Sequence, residues 1–217
     1  MDLKLFTTEE EFVTKSTDVI ASECSYEGAK IALSGGSTPR PIYSALNKRD
    51  YIKFDKIDFF MVDERYVPTG DENSNFKMIV DNLPKAKLHS YDTTLPIDEC
   101  IKDYEGKLAE YLQSSLSLTV LGVGSDGHFG SLFRNSDALK EREKQILHTQ
   151  TDVNVVKDRM TMSMPLIMQS EKILVLMKGE KKWDVIQKME DETVYPDDFP
   201  ARHLMNHPNC LIHFYRS

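Results

Sequence analysis

Cysteine is scarce in this chain of 217 residues. Cys24, Cys100 and Cys210 form an odd, scattered set with no C-x-x-C, which suggests neither a disulfide framework nor a zinc site. No apolar run approaches the roughly 18 residues of a membrane-spanning helix. The opening Met-Asp-Leu-Lys-Leu-Phe lacks the apolar core of a signal peptide, so a cytoplasmic location is expected and no membrane partner is. Positive charge is also in deficit: 27 Lys and Arg stand against 35 Asp and Glu, a formal net charge of −8. A nucleic-acid binder normally shows a basic face, so nucleic acid is not an expected partner. A local cationic cluster still admits an anionic small molecule. Internal repeats and low-complexity linkers are missing. With 40% hydrophobic and 29% charged residues, residues 1–217 read as one α/β domain with a sizeable core.

The richest segment is Leu118-Thr-Val-Leu-Gly-Val-Gly-Ser-Asp-Gly-His-Phe-Gly-Ser-Leu-Phe133. An apolar strand runs into a glycine-rich turn carrying Asp126 and His128. Gly122, Gly124 and Gly127 also spell the G-x-G-x-x-G of a dinucleotide site. That motif needs a helix opening at the third glycine and an acid about 20 residues on, at the end of the next strand. Here His128 and Gly130 follow, which is poor helix chemistry, and Glu143 lies in a charged segment. A loop placing a histidine beside an acid at a strand's C-terminal end fits proton transfer better. The bland alternative is an ordinary hydrogen-bonded histidine.

Strands and helices alternate along the rest. Ala29–Leu33, Ile57–Val62, Leu116–Leu121, Met160–Met164, Ile173–Met177 and Cys210–Tyr215 read as strands. Helices are expected after Pro39, through Phe76, Ile79 and Leu83, over Ile97–Tyr111 and over Lys181–Met189. Ser37 or Thr38 is the expected cap of the first of these. Alternation of this kind implies a doubly wound, mainly parallel sheet with helices on both faces, Rossmann-like in plan. Four polar segments follow predicted strands and should gather at one sheet edge: Gly35–Thr38, Asp63–Arg65, Asp126/His128 and Lys178–Lys182. Ser34–Pro39 is either a phosphate-holding turn at a helix N-terminus or an ordinary capped turn. Asp63-Glu64-Arg65 is either an anion site or a surface charge cluster. Arg159 and Lys182 are either solvated or ligand-binding cations; a cation in a helix's first turn is mildly unfavourable until an anion joins it. His203 and His207 have metal-like spacing, but Pro208 follows and no third ligand stands out, so no metal is expected.

Taken together, Ser34-Gly-Gly-Ser-Thr-Pro39, Asp63-Glu-Arg65 with Ser74-Asn75, Gly122-x-Gly-x-Asp-Gly-His128 with Ser131-Leu-Phe133, Arg159-Met-Thr161 and Gly179-Glu-Lys-Lys182 occur in an order that resembles the 6-phosphogluconolactonases, relatives of the glucosamine-6-phosphate deaminases. The resemblance covers nearly the whole chain. It implies hydrolysis of 6-phospho-D-glucono-1,5-lactone to 6-phospho-D-gluconate, the second step of the oxidative pentose phosphate pathway, without a cofactor. It implies His128 as the base that activates water, with Asp126 orienting it or shaping its loop. Gly35, Gly36, Ser37, Thr38, Arg159 and Lys182 would hold phosphate. Arg65 would bind substrate charge or stabilise an oxyanion, and Asp63 and Asn75 would brace the pocket. A monomer or weak homodimer is expected.

Departures from the family pattern are Phe129-Gly130, where Thr-Ala is frequent, Arg134, where Pro is frequent, and a chain ending at Ser217, soon after its terminal strand. Two rivals remain at this stage. A deaminase would carry a glutamate five residues beyond the histidine and a tyrosine after the Asp-Glu pair, where this chain has Phe133 and Arg65. A non-catalytic sugar-phosphate sensor would need a DNA-binding extension and would have no use for Asp126 and His128.

Overall fold

The computed structural model describes residues 2–152 and 155–216, so Ser217 lies outside the described residues. In chain order the elements begin β1 (Asp2–Phe6), α1 (Glu9–Glu23), β2 (Lys30–Leu33), α2 (Arg40–Asn47), β3 (Asp58–Met61) and β4 (Asp63–Arg65). Next come α3 (Asn75–Asn82), β5 (Lys87–His89), α4 (Ile97–Tyr111), β6 (Leu118–Gly122) and β7 (Ile146–Gln150). The chain finishes with β8 (Asp158–Met162), α5 (Met164–Met168), β9 (Ile173–Lys178), α6 (Lys182–Glu190) and β10 (Cys210–Tyr215).

Seven strands form a parallel sheet in the order β1-β10-β9-β6-β2-β3-β5. Its central strands are buried on both faces, as an α/β sheet covered by helices requires. Ile31, Ala32 and Leu33 are all inaccessible, as are Ile173, Leu174 and Val175. These consecutive apolar residues are what made the strands readable in the sequence. The strand order reverses between β2 and β6: one series runs β2-β3-β5 and the other β6-β9-β10. Loops leaving the carboxyl ends of β2 and β6 therefore diverge, and such a switch point opens a crevice where α/β proteins bind ligands.

Ile57–Val62 does not simply end in a charged loop. Val62 is the joint between two sheets. Its N–H donates to Leu33 O (3.0 Å) in the large sheet, and its carbonyl accepts from Met162 N (2.7 Å) on β8. Tyr104 braces the preceding residue, accepting from Met61 N and donating to Met61 O, both at 2.8 Å. Beyond the joint, β4 pairs antiparallel with β8, and β8 with β7, in a three-stranded sheet beside the crevice.

Several expectations need correction. The segment before the first predicted strand holds β1 and α1, and β1 pairs with β10. Strand six begins at Leu118 rather than Leu116, and Met164 opens α5 instead of ending β8. Helix α2 starts at Arg40 with Pro39 in the cap position and no side-chain cap bond, so neither Ser37 nor Thr38 caps it. No helix opens at Gly127, where a nucleotide fingerprint would need one. Among the described residues, no helix is long and apolar enough to cross a membrane.

Candidate active site

The crevice at the switch point holds a cavity of about 230 Å³. Gly35, Gly36, Ser37 and Thr38 enter it from the loop after β2, Asp63 and Arg65 from β4, and Asn75 from the start of α3. His128 comes from the loop after β6, Arg159 from β8 and Lys182 from the first position of α6. Residues from nearly every part of the chain thus converge at one sheet edge. Lys178 does not join them: its ammonium pairs with Glu9 Oε1 (2.7 Å) and lies over the Tyr215 ring.

His128 sits in a loop closed on itself. Gly124 N donates to His128 O (2.8 Å), and Val123 and Phe129 form an isolated bridge. The turn requires glycine at 124, where a β-carbon would stand 2.3 Å from His128 Nδ1 and 2.5 Å from Asp126 Oδ1. Asp126 Oδ1 lies 2.5 Å from His128 Nδ1. That bond is the main cause that lowers the Asp126 carboxyl to about 2, against a partial burial that raises it. With Nδ1 committed to a carboxylate, Nε2 is the nitrogen left for substrate or water; no bond to Nε2 occurs among the described residues. Asp126 does not itself line the cavity and reaches it through the imidazole. Phe133 packs against the ring, centroids 5.0 Å apart. The unusual Phe129 is wholly buried, so it fills core rather than site.

Three cations border the same space. Arg65 and Arg159 are register partners across β4 and β8. Burial, with the Arg65 charge next, holds the Arg159 guanidinium below its ordinary value, and burial does the same to the Lys182 ammonium. Partly desolvated cations without full compensation are what a bound anion stabilises. Lys182 Nζ donates to Val123 O, on the histidine loop itself. The backbone N–H groups of Gly35, Gly36, Ser37 and Thr38 make no bond to a protein acceptor among the described residues. Three buried polar atoms of the lining, Ser34 Oγ, Arg65 Nε and Asn75 Oδ1, are also unpartnered. Buried polar atoms normally find partners, so their concentration here marks a place for a ligand.

Asp63 and Asn75 both line the cavity and are tied to each other. Asn75 Nδ2 donates to Asp63 O (3.0 Å) and Oδ1 (3.3 Å), and Ser131 Oγ donates to Asp63 Oδ2 (2.7 Å). Glu64 departs from the anion-site reading of Asp63–Arg65. Its buried carboxylate accepts from Arg65 N, Asn75 N, Phe76 N and Ser74 Oγ, tying β4 to the start of α3. Burial raises its pKa, opposed by those bonds. The sequence reading missed Ser34, Glu64 and Ser131 as contributors; each adjoins or lies inside a motif it did single out. Among the described residues no group of three His, Cys, Asp or Glu is placed to hold a metal ion.

Comparison with known proteins gives a consistent result. Residues 7–212 match the family described as glucosamine-6-phosphate isomerases/6-phosphogluconolactonase. The chain is 34% identical over 199 residues to a probable 6-phosphogluconolactonase of Dictyostelium discoideum, covering 87% of this chain and 84% of that one. It is 33% identical over 186 residues to a 6-phosphogluconolactonase of Synechocystis sp., covering 79% and 75%. The crystal structure of a 6-phosphogluconolactonase from Thermotoga maritima superimposes with a TM-score of 0.87 at 25% identity, covering 100% of this chain and 99% of that chain.

Proposed function

The chain belongs to the glucosamine-6-phosphate isomerase/6-phosphogluconolactonase family, and from that premise we propose that it hydrolyses 6-phospho-D-glucono-1,5-lactone to 6-phospho-D-gluconate. One observation carries the choice: a carboxylate-held histidine and three cations border one small cavity. A phosphorylated lactone needs both halves, an anion cradle at one end and a base beside an electrophilic carbonyl at the other.

Arg159, Lys182 and the free N–H groups of Gly35–Thr38 bind the phosphate. His128 Nε2 takes a proton from water as its oxygen attacks C1. The lactone carbonyl becomes an oxyanion, stabilised by Arg65, whose Nε has no partner among the described residues. Collapse breaks the bond from C1 to the ring oxygen, which takes the proton back from the imidazolium. Asp126, ionised throughout the neutral range, holds the ring and stabilises its charged form. Asp63 and Asn75 keep the wall in place.

The deaminase reading lacks its second acid. Five residues beyond His128 stands Phe133, buried and packed on the imidazole. Residues 1–217 are taken as one domain, supported by a single contiguous core. The substrate is a free small molecule, and the net charge of −8 speaks against a nucleic-acid partner; the reading takes the protein as a cytoplasmic monomer or weak homodimer.

The deciding experiment pairs two assays on the same preparation. Loss of freshly made lactone should outpace its spontaneous hydrolysis, and glucosamine 6-phosphate should release no ammonia. Efficient enzyme-dependent ammonia release would reject the assignment.

A further inference from the structure

A second cavity, of about 510 Å³, opens on the other flank of the catalytic pair. His128 is the one residue that lines both cavities. Around the second stand Asp126, Phe133, Arg134, Ser136 and Gln150, and Asp152 lies on its edge. Among the described residues, Arg134 is the only Lys or Arg of this lining. It is exposed and makes no hydrogen bond or ion pair among the described residues. The carboxylates nearby are already engaged: Asp126 by His128 at 2.5 Å and Asp152 by Lys157 at 3.3 Å. Gln150 donates to Asp158 and Ser136 to Phe133 O. Arg134 is therefore the cation left over.

Lactone hydrolysis changes both the length and the charge of its ligand. Water adds at C1, the bond from C1 to the ring oxygen breaks, and that oxygen leaves as a hydroxyl. C1 becomes a carboxylate and one proton passes to solvent. The closed ring held C1 and C5 one oxygen apart; the open chain extends. With the phosphate on Arg159 and Lys182, the extended chain can carry the new carboxylate past His128, which borders both cavities. The second cavity lies there, carrying one unpaired guanidinium whose fork suits a carboxylate.

We propose that this cavity is a subsite for the product's C1 carboxylate, with Arg134 as its binding group. The proposal rests on the lactonase reading and gives the site a discrimination between neutral substrate and charged product at C1.

Calorimetric titration with two unreactive ligands tests it. 6-Phosphogluconate carries the carboxylate; glucitol 6-phosphate has the same phosphate and polyol chain but an uncharged alcohol at C1. Wild type should prefer 6-phosphogluconate by about fivefold, the size expected of one exposed charge pair. In Arg134→Gln the preference should fall within about twofold, with glucitol 6-phosphate binding unchanged. A preference that survives in Arg134→Gln, or its absence from wild type, overturns the subsite while leaving the lactonase reading intact. Failure of both ligands to bind wild type overturns both.

Discussion

At Gly35 a β-carbon would stand 1.9 Å from Asn75 Oδ1 and 2.8 Å from Asn75 Cβ. Asn75 cannot yield freely, because its amide holds both the backbone and the carboxylate of Asp63. Gly35→Ala should therefore cost about 1–3 kcal/mol in overpacking and raise KM together with it, checked by urea denaturation and steady-state kinetics. Wild-type stability and KM would show that Asn75 has room to move. Arg159 and Lys182 act differently under the proposed reading, which puts them on the phosphate, remote from the reacting carbon. Arg159→Ala and Lys182→Ala should each weaken binding by roughly 1.5–3 kcal/mol, the range for charge-assisted bonds, read mainly in KM. Some of that binding positions C1, so kcat falls too; an unchanged KM in both variants would put the phosphate elsewhere. Residue types at strand ends made these groups legible in the sequence. Ser34 was not, because an unpartnered hydroxyl is visible only once the burial around it is known.

Among the elements, α3 depends on a cap that sequence adjacency hides. Ser74 Oγ accepts from Lys77 N at 3.1 Å. The stronger tie is Glu64, ten residues or more upstream, which receives Asn75 N, Phe76 N and Ser74 Oγ. Glu64→Ala should lose about 2 kcal/mol or more, the upper end of a capping effect, since buried donors would be left unmet. Chemical denaturation measures it; a loss below about 0.5 kcal/mol would make the carboxylate dispensable. Helix α1 escaped sequence reading for a related reason. Its inner face contains Ser16 and Thr17, which bond to His213 Nδ1 and Ile42 O, so polar residues interrupt the apolar period. Strand β4 is three residues of charge, Asp63–Arg65, with no strand-like pattern at all. Only its pairing with β8 makes it a strand. The central strands were legible because burial on both faces demands unbroken apolar runs.

For the molecule as a whole, stability should carry a histidine signature below neutral pH. His213 on β10 is buried, its Nε2 has no partner among the described residues, and burial lowers its pKa to about 4, the nearby Lys4 adding to the effect. An unfolded histidine titrates near 6.5. Between these values the unfolded chain binds the extra proton, so stability falls as pH drops from about 6.5 toward 4 and levels off below. The slope approaches about 1.4 kcal/mol per pH unit from this one group. His213→Asn, which cannot ionise, should be less stable than wild type at pH 7, with the gap narrowing by pH 4.5; a constant gap would mean that His213 titrates as it does when unfolded. The same whole-molecule view locates the site. Loop positions after strands were readable one by one, but the switch between β2 and β6 that gathers them is a property of strand order, which no local pattern encodes. What that gathering achieves is tested most directly by following the decay of freshly generated 6-phosphogluconolactone with wild type and with His128→Ala. Wild type should accelerate the decay well above the spontaneous rate. His128→Ala should lose about 10²–10⁴-fold in kcat, the usual worth of a general base, while still binding 6-phosphogluconate. A His128→Ala variant with near-wild-type kcat would contradict the assignment of His128 as the base.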